Sequence, residues 1–292
     1  MSVQESKELN SQYFTDQEEC HLLLRMVDQI WGLPDGAKVL EPSVGSGNFI
    51  RAAKSIGFEI DWTTNELFPE ANNFSADLQM DFMEMTAEDA GRPEFVIGNP
   101  PFSGTTTING KHMSLGMAFI CKALDLCDRV AYILPPNVLR TPWLAMLPEG
   151  VRVVAHTEPK TASYHLGGFG GGEIKQVKTT AVLFERTNDT HDDYKLLIDA
   201  IPGLEFVSSY DEATHAIQTW GGSAARALDG SWGRLLPWAG ETPVRLTNID
   251  TESILATTAL SDYITKFTAA SPTTGPQEIV HLLNTAIQSD HD

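Results

Sequence analysis

The stretch AKVLEPSVGSGNFIRAAKSIG, residues 37–57, carries the patterns of a strand, a glycine turn and a helix in immediate succession. The apolar residues of AKVLEP predict a short buried strand, and NFIRAAKSIG predicts a helix with Gly57 as its C-cap. Between them, Gly45 and Gly47 form a turn that lets the backbone approach a ligand, while the helix N-terminus adds exposed amide donors. This spacing lacks the third glycine of the dinucleotide-binding fingerprint, so taken alone it also fits an ordinary turn.

The alternation of strand and helix patterns continues in both directions from this stretch. A helix is predicted in residues 14–33, where Thr15 is the expected N-cap and Glu18 completes a capping box. The other predicted elements are strands in 58–66, 93–102 and 129–136, a helix in 112–127, and two late strands, in 151–158 and 177–186, that could pair with each other. Strands alternating with helices predict an α/β, doubly wound, mostly parallel sheet, in which ligands bind at the carboxyl ends of the strands.

A polar, charge-rich stretch, RTNDTHDD at 186–193, follows the last clear strand and predicts a domain boundary. We therefore place one domain in residues 1–187 and a smaller α+β part in residues 188–292. In the second part, three tryptophans lie among glycines, and PQEIVHLLNTAIQ predicts a helix near the end of the chain. The tryptophans are Trp220, Trp232 and Trp238.

Acidic residues follow the predicted strands at the edge where a ligand would bind. Glu41 ends the first strand beside the glycine turn, where its carboxylate would repel a phosphate but attract an amine or a sulfonium. Glu66 ends the second strand, where a carboxylate can accept both hydroxyls of a ribose. Farther on, Asp81 could accept a hydrogen bond from an adenine amine, and Phe82 could pack on its ring. Because the chain has 39 acids, the order of these residues carries more weight than any one of them.

The stretch EFVIGNPPFSG, residues 94–104, places one amide side chain where a buried strand stops. Asn99 offers a side-chain carbonyl, and Pro100 and Pro101 fix the backbone so that the Pro100 carbonyl can face the same place. Two acceptors in a rigid pair can hold both hydrogens of an amino group and leave its lone pair directed at an electrophile. Phe102 then offers a ring on which a flipped base can stack. A plain turn at the end of a strand also fits NPPF taken alone.

LEPSVGSGNF together with NPPF resembles the amino-methyltransferases that use S-adenosylmethionine. The resemblance is strongest to the DNA adenine-N6 methyltransferases whose cofactor motif precedes the catalytic motif. NSQYFTDQEE, residues 10–19, resembles the N-terminal cofactor motif of that group, with Ser11 in place of the usual glycine and Asp16 in place of the usual proline. The resemblance covers about residues 9–186 and does not extend to the C-terminal part.

This resemblance implies S-adenosylmethionine as the cofactor and gives residues their roles. The cofactor-binding residues would be Tyr13, Phe14, Thr15, Glu41, Pro42, Gly45, Gly47, Glu66, Asp81 and Phe82. The residues acting on the target base would be Asn99, Pro100, Pro101 and Phe102. The implied reaction is methyl transfer to the exocyclic N6 amine of adenine in DNA, with the base flipped out of the duplex and no metal. Two alternatives stay open: a methyltransferase acting on an RNA base or a protein glutamine amide, and a non-catalytic acidic binding subunit that keeps the fold.

The net charge of −19 counts against a nucleic-acid partner, because binding to phosphate normally needs Lys and Arg. The best candidate for such contacts is a glycine-containing loop predicted in residues 156–178. Its candidate substrate-binding residues are Lys160, Tyr164, Lys175 and Lys178, which could meet phosphate or stack on a base. Alternatively, the acidity could reflect a salty host environment, or a partner subunit could carry the DNA contacts; the chain could also form a homodimer.

Composition indicates a globular protein of the cytoplasm. Hydrophobic residues make up 42% of the chain, which is enough for a core, and no apolar run has the length of a membrane span. The polar start, MSVQESKELN, lacks the pattern of a signal peptide. Three sparse cysteines, Cys20, Cys121 and Cys127, have no metal-binding or redox spacing, and they are typical of a reducing compartment.

Overall fold

The strands of the first half of the chain join one open sheet in the computed structural model of the protein. The structure describes residues 13–68, 74–108, 110–166, 173–187, 203–218, 225–227, 241–247 and 279–280. Two compact units are formed, the first by Met1–Val138 with Met146–His191, and the second by Leu139–Ala145 with Asp192–Asp292. Within the described ranges, no helix combines the length and the apolar character needed to cross a bilayer.

The first unit contains ten strands and three α-helices among its described residues. The strands are β1 (Tyr13–Phe14), β2 (Ala37–Glu41), β3 (Ile60–Thr64), β4 (Phe95–Gly98), β5 (Thr105–Ile108), β6 (Lys111–Ser114), β7 (Arg129–Leu134), β8 (Val151–His156), β9 (Lys160–Leu166) and β10 (Glu173–Arg186). The helices are α1 (Gln17–Trp31), α2 (Asn48–Ser55) and α3 (Leu115–Leu126), and single 3₁₀ turns lie at Phe82–Glu84 and Pro136–Leu139.

The main sheet has the order β1-β9-β10-β7-β4-β2-β3, and β8 also pairs with β10. Strands β3, β2, β4 and β7 are parallel to one another. The remaining pairings in this sheet, on the β10 side, are antiparallel. The two late strands, β8 and β10, pair as expected, with a register shift between Leu183 and Phe184. The carboxyl ends of β2, β3 and β4 therefore meet at one edge.

Apolar sequence explains why the parallel strands lie at the centre of the sheet. All four residues of β4 are buried, and so are the last five of β7, as expected for strands covered on both faces. One apolar cluster joins α1 and α2 to alternate residues of these strands, such as Val39, Ile97 and Ile133. Helix α3 packs over β7 instead, near Leu134, whose side chain points to the opposite face by strand alternation. Helices on both faces confirm the predicted α/β, doubly wound fold, with parallel pairing confined to four strands.

Three predicted helix boundaries differ from the structure: the N-caps of α1 and α3 and the C-cap of α2. Asp16, not Thr15, is the N-cap of α1, and its side chain accepts a hydrogen bond from the Glu18 amide, so the predicted capping box is wrong. Asp16 prevails because Thr15 has other partners, described below. Helix α3 begins at Leu115 with Ser114 as its N-cap, because the preceding residues form the β5–β6 hairpin. Gly57, with φ of 86°, follows the C-cap Ile56 of α2.

The predicted loop in residues 156–178 is largely β-structure. Strand β9 pairs antiparallel with the first half of β10, from Lys160 opposite Thr179 to Leu166 opposite Glu173. Strand β1 adds to the outer edge of β9. The loop prediction is wrong over β9, where residues 161–164 alternate between exposed and less exposed positions as expected for a strand.

The second unit contains a four-stranded antiparallel sheet in the order β11-β14-β12-β13. Its strands are β11 (Leu204–Phe206), β12 (His215–Gln218), β13 (Ala225–Ala227) and β14 (Glu241–Leu246), and the short helix α4 is Thr141–Leu144. The sequence expectations for Trp220, Trp232 and Trp238 lie outside the described residues, as does most of the predicted C-terminal helix.

Candidate functional site

A cavity of about 680 Å³ opens at the carboxyl ends of the parallel strands. It brings together residues from five separate segments of the first unit: the turn after β2, the residues after β3, the region of the 3₁₀ turn at 82–84, the loop after β4 with the start of β5, and α3. The predicted site residues that line it are Pro42, Gly45, Glu66, Asp81, Phe82, Asn99, Pro100 and Pro101. A second cavity of about 30 Å³, lined among others by Thr15, Glu41, Gly45 and Asn99, lies beside it.

The glycine turn needs its glycines for conformational reasons. Gly45 and Gly47 have φ of 51° and 76°, in the left-handed region that disfavours other residues. Gly47 is also the N-cap of α2, and a Cβ added there would lie 2.3 Å from the Cδ2 atom of Phe74. The Phe74 ring therefore occupies the space beside Gly47. Gly45, in contrast, lines the cavity and can be reached by a ligand.

Glu66 connects this turn to the end of β3. Its side chain is buried, Oε2 accepts a hydrogen bond from the Gly45 amide at 3.0 Å, and Oε1 accepts one from the Phe68 amide at 3.2 Å. A carboxylate has about four acceptor positions, so both oxygens retain capacity for a ligand hydroxyl. The carboxylate is thus held in place by the backbone before any ligand arrives.

Glu41, at the end of β2, is buried beside the smaller cavity. It is 1% exposed; Oε1 accepts a weak hydrogen bond from the Ser43 amide at 3.4 Å, and Oε2 is buried without a hydrogen-bond partner among the described residues. Burial raises the pKa of this carboxyl well above its usual range; the nearby Glu66 raises it further and the Ser43 amide opposes the shift. Burial therefore disfavours the charged form of the carboxylate that was expected beside the turn.

Two neighbours of Glu41 complete this buried region. Gly98, the last residue of β4, leaves the space that the Glu41 carboxyl occupies, because a Cβ there would lie 2.3 Å from Oε1. Tyr132 on β7 is fully buried, and its pKa is raised by burial and by Glu41. Sequence reasoning missed both residues, since each looks like an ordinary member of an apolar strand.

Asn99 follows β4 directly and is held from two sides. Its side-chain Nδ2 donates to Thr15 Oγ1 at 2.8 Å, and its backbone carbonyl accepts a bond from Ser43 Oγ at 3.4 Å. The backbone carbonyl of Thr15 in turn accepts a bond from Asn48 Nδ2, on the first turn of α2. Tyr13 and Phe14 form β1 immediately before Thr15. The N-terminal motif therefore lies beside the loop after β4.

Asn65 is a further polar residue of the cavity that sequence reasoning passed over. It is 1% exposed, and its Nδ2 donates to the backbone carbonyls of Pro42 and Met80, both at 3.1 Å. Its Oδ1 accepts a bond from the Met80 amide. One amide thereby ties together the three segments that carry Pro42, Glu66 and Asp81.

Asp81 and Phe82 lie at the far wall of the cavity. Asp81 caps the 3₁₀ turn, with Oδ1 accepting from the Met83 amide at 2.9 Å, and it stays exposed. Phe82 is buried against Phe119 of α3, with ring centroids 4.9 Å apart. The wall is therefore apolar at Phe82 and polar at Asp81.

Phe102, Lys160 and Tyr164 are not among the described residues that line the larger cavity. The Phe102 ring meets the Tyr164 ring edge-on, with centroids 6.5 Å apart. Tyr164 is fully buried and its hydroxyl donates to Thr179 Oγ1, while Lys160 forms an ion pair with Glu19. Tyr164 is therefore not presented to a base, whereas the Lys160 side chain is 48% exposed and its contact with a phosphate stays a prediction.

The remaining two candidates lie on β10. Lys178 is half-buried, and the side chain of Lys175 is outside the described residues. A nucleic-acid role for these lysines stays a prediction.

Among the described residues that line the two cavities, every charged side chain is acidic. Glu66 and Asp81 line the larger cavity, Glu41 lines the smaller one, and neither lining contains a Lys, an Arg or a His. Such an environment disfavours a phosphate-rich ligand and suits one with a positive charge.

Comparisons with known proteins find similarity among solved structures. No protein-family model matches the chain, and a comparison with curated proteins finds no match. A provisionally assigned RNA methyltransferase of Pyrococcus horikoshii is 17% identical with a TM-score of 0.44, over 61% of this chain and 89% of that one. The methyltransferase subunit of a type I restriction-modification system from Streptococcus thermophilus is 14% identical with a TM-score of 0.44, over 61% of this chain and 45% of that one.

A third similar structure is a provisionally assigned class I S-adenosylmethionine-dependent methyltransferase of Listeria monocytogenes. It is 11% identical with a TM-score of 0.41, over 66% of this chain and 65% of that one. This chain thus spans less than half of the restriction-modification subunit and about two thirds of the Listeria protein. At these identities and TM-scores, conclusions about function have to come from the site itself.

Proposed function

We propose that the protein transfers a methyl group from S-adenosylmethionine to the exocyclic N6 amine of adenine in DNA. The observation that carries this proposal is the meeting of Asn99 and Pro100 with the glycine turn and Glu66 around one cavity. Methyl transfer would need the pair of acceptors that holds the amine and the turn that holds the cofactor to lie at one cavity, and the residues proposed for both roles line this one.

The residues present fit the cofactor. A cavity of about 680 Å³ is in the range of small-molecule sites. Its acidic lining suits a ligand with a positive sulfur and a positive amine, and Glu66, which lines the same cavity, would accept ribose hydroxyls. Asp81 and Phe82 would contact the adenine of the cofactor, and Gly45 would face its methionine part. Glu41, whose Oε2 has no hydrogen-bond partner among the described residues, would receive a donor from the same part.

When bound, S-adenosylmethionine supplies a methyl group on a positively charged sulfur. The chain supplies the orientation of the acceptor. Asn99 Oδ1 and the backbone carbonyl of Pro100 would each accept one hydrogen of the target amine, which directs its lone pair along the line of transfer. The prolines make this pair rigid, so little freedom is lost in the transition state. The proton that the amine loses would leave to solvent through the open mouth of the cavity.

Two sequence motifs of the site favour the amine of adenine in DNA over the other candidate acceptors. NPPF and the N-terminal Tyr-Phe-Thr occur together, and the structure joins them through the bond between Asn99 and Thr15. The net charge of −19 favours a second candidate, a glutamine amide of a protein, because such a substrate needs no phosphate contacts. The hypothesis of a non-catalytic binding subunit is less favoured, because it does not explain a rigid pair of acceptors beside a cofactor-type cavity.

The test is to incubate the protein with tritiated S-adenosylmethionine and, separately, duplex DNA, single-stranded DNA, RNA and a glutamine-containing protein. We expect label in DNA, recovered as N6-methyladenine after digestion. Label in RNA or in glutamine would reject DNA as the substrate but keep the amine chemistry. Cofactor binding without label in any substrate would favour the binding subunit.

The variant Asn99→Ala tests the role of the amide. We expect its rate of transfer to fall roughly a hundredfold, which corresponds to about 3 kcal/mol of transition-state stabilisation. Calorimetry should give nearly unchanged affinity for the cofactor, and circular dichroism an unchanged fold. Normal turnover at saturating cofactor combined with weakened cofactor binding would place Asn99 in the cofactor site and reject the assignment.

A further inference from the structure

We propose that Thr15 is a positioning residue that sets the orientation of the Asn99 amide for the reaction. This inference rests on the proposed function, since it assigns Asn99 to the acceptor amine. Its basis is the hydrogen bond from Asn99 Nδ2 to Thr15 Oγ1, at 2.8 Å, between residues 84 positions apart. The sequence indicated Thr15 as a helix cap and a cofactor contact, and the structure shows a different partner.

Thr15 is itself held firmly enough to serve as a support. It is 7% exposed, and it lies between the edge strand β1 and the start of α1, whose cap is the adjacent Asp16. Its backbone carbonyl accepts a bond from Asn48 Nδ2, and Asn48 Oδ1 accepts one from Arg51 Nη2. Arg51 Nη1 also donates to the Ser46 carbonyl at 2.6 Å. The support for Asn99 therefore comes from the glycine turn and the first turn of α2.

The bond matters because the two ends of an amide have similar size but opposite hydrogen-bonding character. In the orientation that the structure shows, Nδ2 of Asn99 is engaged by Thr15, and the carbonyl oxygen Oδ1, which is buried, is the end that would accept from a target amine once that amine enters the site. If the Thr15 hydroxyl were lost, the amide could rotate and present its NH₂ group. Two donors would then face each other, and the acceptor pair formed with Pro100 would be broken.

The bond also links the cofactor side of the site to the acceptor side. Both Thr15 and Asn99 line the smaller cavity together with Glu41 and Gly45, whereas Asn99 and Pro100 line the larger one. A displacement of the glycine turn would pass through Asn48 and Thr15 to the Asn99 amide. Thr15 thus acts through Asn99, and its removal should change the rate of transfer more than the affinity for either ligand.

The experiment compares Thr15→Val, Thr15→Ser and a control, Thr86→Val. Valine keeps the shape of threonine without the hydroxyl, while serine keeps the hydroxyl. Thr86 lies outside the site on an exposed turn, where its hydroxyl donates to Asp89 Oδ2 at 2.6 Å. Transfer is measured in single turnovers at saturating cofactor, and cofactor affinity by calorimetry.

We expect Thr15→Val to lower the single-turnover rate by about 10- to 100-fold, the usual loss when a catalytic group is misplaced by a supporting residue. Thr15→Ser should recover most of that loss, Thr86→Val should show none, and the cofactor Kd should change less than about threefold for all of them. In an Asn99→Ala background, Thr15→Val should have no further effect, because the residue it positions is gone. Equal losses for Val and Ser, or a loss in cofactor affinity with a normal rate, would overturn the proposal.

A second measurement separates this inference from the proposed function. If the wild-type protein transferred no methyl group to any substrate, the function would be wrong, but the bond could still be tested by urea unfolding. The midpoint shift of the Thr15→Val, Asn99→Ala double variant should then be smaller than the sum of the single shifts. Additive shifts would show that the two side chains are not coupled in solution and would reject positioning by Thr15, whatever the activity.

Discussion

Gly98 is the position where the smallest possible addition should have a large effect. A methyl group there would lie 2.3 Å from Glu41 Oε1, 2.9 Å from Cδ and 3.0 Å from Oε2, so the carboxyl group would have to move by about 1 Å to restore normal contact distances. Glu41 is 1% exposed and borders the cavity of about 30 Å³, so a shift of its carboxyl group would have to use that small space. Overpacking of this kind costs about 1–3 kcal/mol, and we expect Gly98→Ala to lower the free energy of unfolding by that amount.

Urea unfolding of four proteins tests this reasoning: wild type, Gly98→Ala, Glu41→Ala and the double variant. Because Glu41→Ala removes the group that the new methyl meets, Gly98→Ala should cost at least about 1 kcal/mol less in that background. Gly116→Ala serves as the matched control. It lies in α3 with no heavy atom closer than 3.4 Å to the added Cβ, so it should be neutral or stabilise by up to about 1 kcal/mol. An equal cost of Gly98→Ala in both backgrounds would show that Glu41 is not its steric neighbour.

Two further substitutions follow from the same site. For Glu41→Gln we expect the free energy of unfolding, relative to wild type, to increase as pH rises above about 4.5. Burial raises the pKa of Glu41 in the folded wild type, so above that pH the folded state binds more protons than the unfolded state and the wild type loses stability. Unfolding titrations between pH 4.5 and 8 measure this difference, and a difference independent of pH would contradict the prediction. Gly47→Val should weaken cofactor binding and lower stability, since valine is strained at φ of 76° and would collide with Phe74; unchanged calorimetric affinity and an unchanged urea midpoint would reject this role of the turn.

The central strands could be predicted from the sequence because their burial on both faces leaves continuous apolar runs. Strand β7 was expected in 129–136 and spans Arg129–Leu134, and β4 was expected in 93–102 and spans Phe95–Gly98. Helix α1 was expected in 14–33 and spans Gln17–Trp31, because its apolar residues recur at helical spacing. The same elements bring Glu66 and Asn99 to one cavity, so the position of the candidate site followed from the order of the strands.

The features that the sequence did not predict depend on contacts between distant residues. Strand β9 alternates polar and apolar residues beside a glycine-rich segment, so its strand character appears only when it pairs with β10. The bond between Thr15 and Asn99 spans 84 positions, and a threonine before a helix is locally a cap. The raised pKa of Glu41 follows from its burial against Gly98 and its neighbours, which no local pattern reports.

The pairing of β1 with β9 constrains the order in which the chain can assemble. Tyr13 and Phe14 leave the ribosome early, but their partners, Leu166 and His165, are made only after the whole parallel part of the sheet. Contacts that close such long loops form slowly, whereas β2, β3 and β4 can pair with strands nearby in sequence. Thr15 therefore reaches Asn99 late, when the β9–β10 hairpin provides the edge on which β1 docks. Completion of the site would then coincide with the last step of folding, so a nascent or partly folded chain would hold the cofactor turn without the supported amide.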